Sequence, residues 1–434
     1  MEITLATITV PGSGGSITIT TSGTANQTLA HLISNALAGN PSLVITTYNP
    51  SVTIPGATSG KTNELAVTSG GGNFTVPSGY QYVTIWDYGT GTATTVNGAA
   101  GNEVLAGNGG LTYQGVAGFQ TVVAGGGGGV NDSVNLPTGS VAFVALGAGN
   151  DTITSQGSGT LAGGGGNNLL VGAGFTSSSG SLSIISDGND TVFAGVGYTT
   201  VAAYDMPGGI SVTGGSGPLV VGSNDAYTTV TGGSGPATIW GGSGQNLVTG
   251  GTGSILFVGS SAGGTTTVNG GTGQVTIFGG AGDDINYNNP GSVGSALMVA
   301  YGGLVAGAGN ETLNAAGSNV AVTLAAGAGG NVSLVGGSAG DQLMAGSGND
   351  TIKTGAGNDS IFFWKGNAGG TDIITDFTSG SDVVILAGYG TGADTTALGT
   401  LRTTGGSSTI TLSDNTTITF SNVTALTAAN FKII

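Results

Sequence analysis

Residues 336–362 read GGSAGDQLM AGSGNDTIK TGAGNDSIF, three nine-residue units set end to end. Each has a glycine-rich half, an acid at its sixth place (Asp341, Asp350, Asp359) and an apolar residue at its eighth (Leu343, Ile352, Ile361). Glycine turns a chain sharply at positive φ without a Cβ clash, so the first six residues of a unit read as a tight turn. The last three read as a short strand whose middle side chain points inward, because side chains alternate along a strand. Two units complete one coil, so residues eighteen apart stack. Asp341 then lies over Asp359, with Asp350 on the opposite side. The pattern dictates an all-β fold: a right-handed parallel β-roll, or β-solenoid, of nonapeptide repeats.

A hard cation held between stacked turns takes carboxylate and backbone carbonyl oxygens, the ligands calcium prefers. Asx-turns are the alternative use of the same aspartates. The candidate metal ligands begin with Asp341, Asp350 and Asp359. Isolated acids in similar turns add Asp151 (LGAGNDTIT), Asp190 (ISDGNDTVF), Asp284 (GGAGDDINY) and Glu311 (AGAGNETLN). Most of their eighteen-residue neighbours are not acidic, so weaker or empty sites are expected there.

These repeats resemble the RTX (hemolysin-type calcium-binding) family. The resemblance continues in TDIITDFTSGSDVVIL (371–386), which follows the family's post-repeat form D-x-I-x-D-F-x-x-G-x-D at Asp372, Ile374, Asp376, Phe377, Gly380 and Asp382. It implies Ca2+ as the cofactor and adds Asp372 to the candidate ligands. It also implies export from a Gram-negative bacterium through a type I exporter, guided by an uncleaved C-terminal signal, to the cell surface or the medium. The tail TITLSDNTTITFSNVTALTAANFKII (409–434) fits that picture.

Composition agrees with a repeat fold rich in tight turns. Gly makes up 91 of 434 residues with no G-X-Y period and only 10 Pro, which excludes collagen. Cys is absent, so there is no disulfide framework and no thiolate metal site. A net charge of −16 with five Lys+Arg disfavours nucleic acid and anionic membrane surfaces as partners. No basic, apolar leader opens the chain, and no run of about eighteen apolar residues is present for membrane insertion.

The chain divides into an N-terminal head (1–88), the solenoid (89–367) and a C-terminal cap that doubles as the export signal (368–434). In the head, ITLATITV and SITITT read as a hairpin, and Leu29, Leu32, Ile33 and Leu37 share one face of a helix over about 28–38. Such a head covers an open solenoid edge. The single His31 lies on this helix and lacks partners for a metal site. The nine-residue beat puts Val96, Leu105, Val144, Ile153, Val192, Val201 and Ile210 inward, then Val221, Val230, Ile239, Val248, Phe257 and Ile277. The sixth places of the middle run are Leu219, Thr228, Ala237, Asn246, Ile255 and Val275, none acidic. Apolar residues in turns suggest a second packing layer or a neighbouring molecule. The middle turns are therefore expected to stand without much calcium, and the C-terminal turns to need it.

No catalytic constellation is present. One histidine rules out HExxH, no G-x-S-x-G elbow stands out, and the adjacent pair Asp283–Asp284 is expected to point apart. The chain reads as a non-enzyme: a structural protein that self-associates into a surface layer, filament or biofilm matrix. The alternative is an adhesin or carbohydrate-binding rod with a polysaccharide or cell-surface partner. For that reading Tyr80, Tyr82, Trp86 and Tyr88 are the candidate sugar-stacking residues, although the same side chains could simply seal the head. A polysaccharide-modifying enzyme or an ice-binding threonine array ranks below both.

Overall fold

The computed structural model describes residues 6–12, 15–21 and 42–434, excluding 50–51, 69–70, 86–92, 108, 126–128, 173–179, 204–207, 225–226, 261, 281, 292–294 and 301–309. The expected helix over 28–38, His31, Trp86 and Tyr88 lie outside the described residues. The described strands build a parallel β-solenoid of about 15 turns, with almost no helix. Two compact units, Met1–Val221 and Gly222–Ile434, divide the chain.

The first unit holds the expected hairpin, Ala6–Gly12 antiparallel to Gly15–Thr21, with Ile8 opposite Ile19. Its coil begins well before the nine-residue beat, where Leu43–Tyr48 pairs in parallel with Thr62–Val67. From there each described strand of this unit pairs with the next but one along the chain, which lays down two parallel sheets. In one sheet Val83, Val104, Val122, Val144, Leu161, Ile184 and Val201 stack in register. In the other, Phe74, Val96, Tyr113, Val134, Ile153, Leu170, Val192 and Val212 do so. All of these side chains are buried. Fully burying such residues contributes roughly 1.5–3 kcal/mol each, which is how short strands become stable by repetition.

Two of the expected inward residues are out of phase. Val104 and Val212, rather than Leu105 and Ile210, take the central columns. Leu105 and Ile210 are buried all the same, Leu105 on the next residue of its strand and Ile210 one alternation earlier on its own. The expectation for the junction aromatics also divides. Tyr80 is buried and donates its hydroxyl to the Pro55 carbonyl at 3.0 Å, so it seals, whereas Tyr82 is half-buried beside Glu103.

In the second unit one sheet stacks Ile239, Phe257, Ile277, Met298, Leu324, Leu343, Ile361, Val384 and Phe431. The other stacks Ile285, Leu313, Leu334, Ile352, Ile374 and Phe420. The glycine turns pack so closely that side chains are barred from some places. Gly357 sits at φ 130°, and a Cβ there would collide with the Ala339 carbonyl one turn away.

The C-terminal segment continues the coil. Thr371–Ile374, Val383–Ala387, Thr417–Phe420 and Phe431–Ile433 add parallel strands, while Arg402–Thr404 and Ser407–Thr411 fold back antiparallel. Phe377, Phe420 and Phe431 meet edge to face, with centroids 5.1 and 6.5 Å apart, and close the last turns. A short helix, Ala393–Gly399, lies in this segment. The sequence reading found no helix there, and its N-cap Gly392 provides no side-chain cap to announce one.

Candidate metal centre

The sixth-place aspartates point into the roll. Asp341, Asp350 and Asp359 are each 1% exposed. Each carboxylate accepts the backbone N–H at the same position one coil earlier. Val322 N–H donates to Asp341 Oδ1 (2.9 Å), Asp341 N–H to Asp359 Oδ1 (2.7 Å), and Asp359 N–H to Asp382 Oδ1 (3.1 Å). On the other sheet, Val332 N–H donates to Asp350 Oδ1 (2.9 Å) and Asp350 N–H to Asp372 Oδ1 (2.8 Å). The second oxygens of Asp341 and Asp350 accept N–H groups of their own turns, from Gly337 at 2.6 Å and Gly346 at 2.7 Å. The expected stacking, Asp341 over Asp359 with Asp350 opposite, is the arrangement found.

The post-repeat segment divides its acids among three tasks. Asp372 and Asp382 end the two ladders. Asp376 grips the turn between them: its Oδ1 accepts Thr354 N–H (2.7 Å) and the Thr354 hydroxyl (3.1 Å), and its Oδ2 accepts Gly355 N–H (3.1 Å). Asp382 Oδ2 accepts Thr378 N–H (2.8 Å), which closes its own loop.

A third ladder runs through the first unit. Leu111 N–H donates to Asp132 Oδ1 (2.7 Å), Asp132 N–H to Asp151 Oδ1 (2.7 Å), Asp151 N–H to Asn168 Oδ1 (2.8 Å), and Asn168 N–H to Asp190 Oδ1 (2.9 Å). Asp151 and Asp190 are therefore members of one column and not isolated acids, joined through Asn168, with Asp132 at its head. The strict eighteen-residue count missed this, because loops of unequal length set the steps to 19, 17 and 22 residues. A visible signal was the dipeptide Asn-Asp at 131–132, 150–151 and 189–190, repeated at 349–350 and 358–359. The preceding asparagine builds a parallel outer ladder: Asn131 Oδ1 accepts Asn150 N–H (2.8 Å), and Asn331 Oδ1 accepts Asn349 N–H (2.8 Å).

Two expectations are corrected. Asp284 points outward and is exposed, while its neighbour Asp283 is buried. Asp284 pairs with the outward Thr265, and Ile285 takes the inward place below Thr266. One residue of register moves a side chain to the other face of a strand. The apolar sixth places, Ala237, Ile255 and Val275, are buried and need no neighbouring molecule; Leu219, in the first unit, is buried too. Ala237, Ile255, Val275, Ala296 and Val322 stack in one column, and Asp341, Asp359 and Asp382 carry it on. The same inward position thus takes either a hydrocarbon or a carboxylate.

Burial sets the electrostatics. It pushes Asp359 up to about 6, helped by the charges of Asp382, Asp341 and Asp376, and it pushes Asp372 up to about 7, with Asp350 adding to it. Burial likewise raises Asp132 to about 6 and Asp151 to about 7, and it raises Asp190, Asp341 and Asp350. Two carboxylates on neighbouring strands, about 4.8 Å apart, repel by about 3–4 kcal/mol when both are ionised at an effective dielectric near 20. Hydrogen bonds from backbone amides offset part of this. Asp132 Oδ2, Asp151 Oδ2, Asp359 Oδ2 and Asp372 Oδ2 are buried with no hydrogen-bond partner, which is costly for a charged oxygen.

This donor set fits a hard cation: buried anionic oxygens, stacked, without sufficient donors. Among the described residues no three acids or histidines converge on one point. A cation here would therefore draw its remaining ligands from backbone carbonyls of the glycine turns.

Comparison with known proteins agrees. The family model for the RTX calcium-binding nonapeptide repeat, in four copies, matches residues 228–254, 261–291 and 335–367. The first two stretches include units whose sixth place is not acidic, so the match follows the glycine frame as well as the acids. The search of curated proteins finds no match.

Proposed function

We propose, from the premise that this chain is an RTX-repeat protein, a calcium-binding β-roll, that it leaves the cell through a type I exporter and self-associates outside as a structural protein of a surface layer, filament or biofilm matrix. Asp341, Asp359 and Asp382 on one sheet, Asp350 and Asp372 on the other, and Asp132, Asp151 and Asp190 in the first unit would hold the ions. Bound calcium supplies positive charge to oxygens that the fold leaves unpaired. The chain's own contribution is the ladder of N–H donors that fixes each carboxylate in the column. RTX-repeat proteins are typically secreted, and among the described residues no helix is long and apolar enough to cross a membrane.

The observation that carries the assembly reading is where the charge lies. More than half of the chain's 21 acids are buried inside the roll, which leaves outer faces almost free of charge. In the second unit one outer column runs Trp240, Val258, Phe278, beside Thr238, Leu256, Thr276. The opposite sheet shows Thr229, Leu247, Thr267 and Thr231, Thr249, Asn269. Trp240 is 47% exposed. Regular, uncharged strand faces lack the repulsion that keeps copies apart. The adhesin reading is weaker, because Tyr80 is buried in a sealing role.

The test is to purify the chain in chelator, add millimolar calcium and follow light scattering and negative-stain images. Regular polymers are expected. A monodisperse folded species at all concentrations would overturn the assembly reading and leave the calcium-binding fold in place.

A further inference from the structure

We infer that the outer face of one sheet in the first unit is an ice-binding surface. The rows Asn73–Thr75, Thr95–Asn97, Thr112–Gln114, Ser133–Asn135 and Thr152–Thr154 pair in register. The middle residue of each row belongs to the buried inward column that runs from Phe74 to Ile153, so the flanking side chains point outward. One outward column is Asn73, Thr95, Thr112, Ser133 and Thr152. The other is Thr75, Asn97, Gln114, Asn135 and Thr154. Every member carries a hydroxyl or a carboxamide, none carries a charge, and none is buried. Leu169 and Val171 end the run. A uniform step of eighteen residues hides this array, because the steps down the first column are 22, 17, 21 and 19 residues.

The face is held in one arrangement. Asn97 Nδ2 donates to Asn73 Oδ1 at 2.9 Å and Asn135 Nδ2 to Gln114 Oε1 at 3.0 Å, so the four carboxamides are tied together in pairs. The threonines are β-branched and stiff at χ1. Parallel strands set the rows about 4.8 Å apart, and two residues along a strand set the columns about 6.6 Å apart. Water oxygens joined tetrahedrally by hydrogen bonds of about 2.75 Å have second neighbours about 4.5 Å apart, and along the hexagonal axis of ice they repeat at about 7.3 Å. Over five rows the mismatch down a column adds up to about 1.2 Å, well under one spacing.

Other occupants fit this face less well. A second copy would match its spacing, but an array about 19 Å by 7 Å is far smaller than the roughly 800 Å² per partner that stable association buries. Its polar groups would also exchange bonds to water for bonds to protein at little net gain. A sugar ring stacks on aromatic faces, and the two columns contain none. Frozen water asks for no dehydration: the grid keeps its hydrogen bonds to water and fixes where those waters sit.

The full-length chain, folded in calcium, is tested by the gap between the melting and freezing points of a seed crystal, and by its enrichment in slowly grown ice. Both a gap and enrichment are expected. Thr112→Lys and, at a more exposed place, Asn135→Lys put a long charged side chain into the grid and are expected to lower both readings about tenfold. Thr267→Lys, an outward position of the second unit, is expected to keep both. Circular dichroism confirms the fold of each variant. Absence of gap and enrichment in the unaltered chain would overturn the inference, as would undiminished readings in the folded grid variants or equal losses in all three. Retention on crystalline cellulose or chitin with none in ice would overturn it too, and would make the face a reader of a polysaccharide lattice.

Discussion

The backbone N–H of Asp341 donates to Oδ1 of Asp359 at 2.7 Å, one coil further along the chain. Each aspartate thus holds the turn before it and is held by the turn after it. A ligand set built this way cannot form until its neighbours have stacked, so the proposed ion binding would be coupled to coil formation.

The first prediction concerns pH without calcium. Asp359 and Asp132 titrate near 6, and Asp151 and Asp372 near 7, all above the unfolded value of about 3.9. A raised folded pKa means that the folded state binds protons more tightly. The associated stability is fully present below about pH 4 and is lost as pH rises through 6–7. In chelator the melting temperature should therefore be higher at pH 5 than at pH 8. A melting temperature that falls on acidification in chelator would refute this.

Replacing one ladder acid by the hydrocarbon of its own column should exchange ion dependence for intrinsic stability. Asp341→Val extends the run that ends at Val322. It is expected to gain on the order of 1 kcal/mol in chelator, where removing a buried charge outweighs the loss of its bonds from the Val322 and Gly337 N–H groups. In saturating calcium it should bind fewer ions and gain little. Urea melts in both conditions check it, and equal shifts in the two would count against a metal role for Asp341.

The Asp376 side chain accepts its hydrogen bonds from Thr354 and Gly355. Asp376→Ala leaves the Thr354 and Gly355 N–H groups without their acceptor, while the Thr354 hydroxyl keeps Asp382 Oδ2 at 3.4 Å, at a cost of about 1–3 kcal/mol. Hydrogen exchange at the Thr354 and Gly355 amides should speed up, while the Asp132 and Asp151 amides keep their protection. Uniform acceleration along the chain would show that the clamp is not local.

Gly357→Ala should be far more damaging than Gly366→Ala. Both glycines have positive φ, but a Cβ at 357 meets the Ala339 carbonyl and one at 366 meets open space. The expected cost is a few kcal/mol at 357 and about 1 kcal/mol at 366. Similar melting temperatures for the two would mean that turn packing is looser than described.

Chelation should expose two regions rather than one. Hydrogen exchange is expected to rise over 132–190 and 332–382, where the ladders run, and to rise least over 227–258. The sequence alone predicted sensitivity at the C-terminal end only; if 132–190 keeps its protection in chelator, that simpler expectation was right.

The three units at 336–362 were enough to read the coil, its inward columns and the pairing of Asp341 with Asp359, because turn and strand there have fixed lengths. Elsewhere the count fails for a physical reason: turns tolerate extra residues without breaking the stack. The steps from Asp132 to Asp151 and from Asn168 to Asp190 differ, yet their amide–carboxylate bonds are alike. Near Asp283 an odd-numbered shift reverses which face a side chain occupies, and no periodic reading could say whether Asp283 or Asp284 turned inward. The burial of Leu219 and Ile255 was legible as an anomaly and misread, since the sixth place was taken for a wet turn when it opens a strand.

The column that passes from Val275 through Ala296 and Val322 to Asp341, Asp359 and Asp382 shows that one backbone accepts two kinds of fastening at the same place. The hydrocarbon segment closes wherever there is water; on the proposed function the carboxylate segment would wait for an ion. On the proposed calcium dependence, the position of the changeover would decide how much of the second unit can assemble in a calcium-poor compartment and how much is deferred to a calcium-rich one. A chain passing end-first from one to the other would tighten at the threshold, with each completed coil hindering its return. Moving the changeover by a single substitution would then alter the timing of folding while leaving its outcome the same.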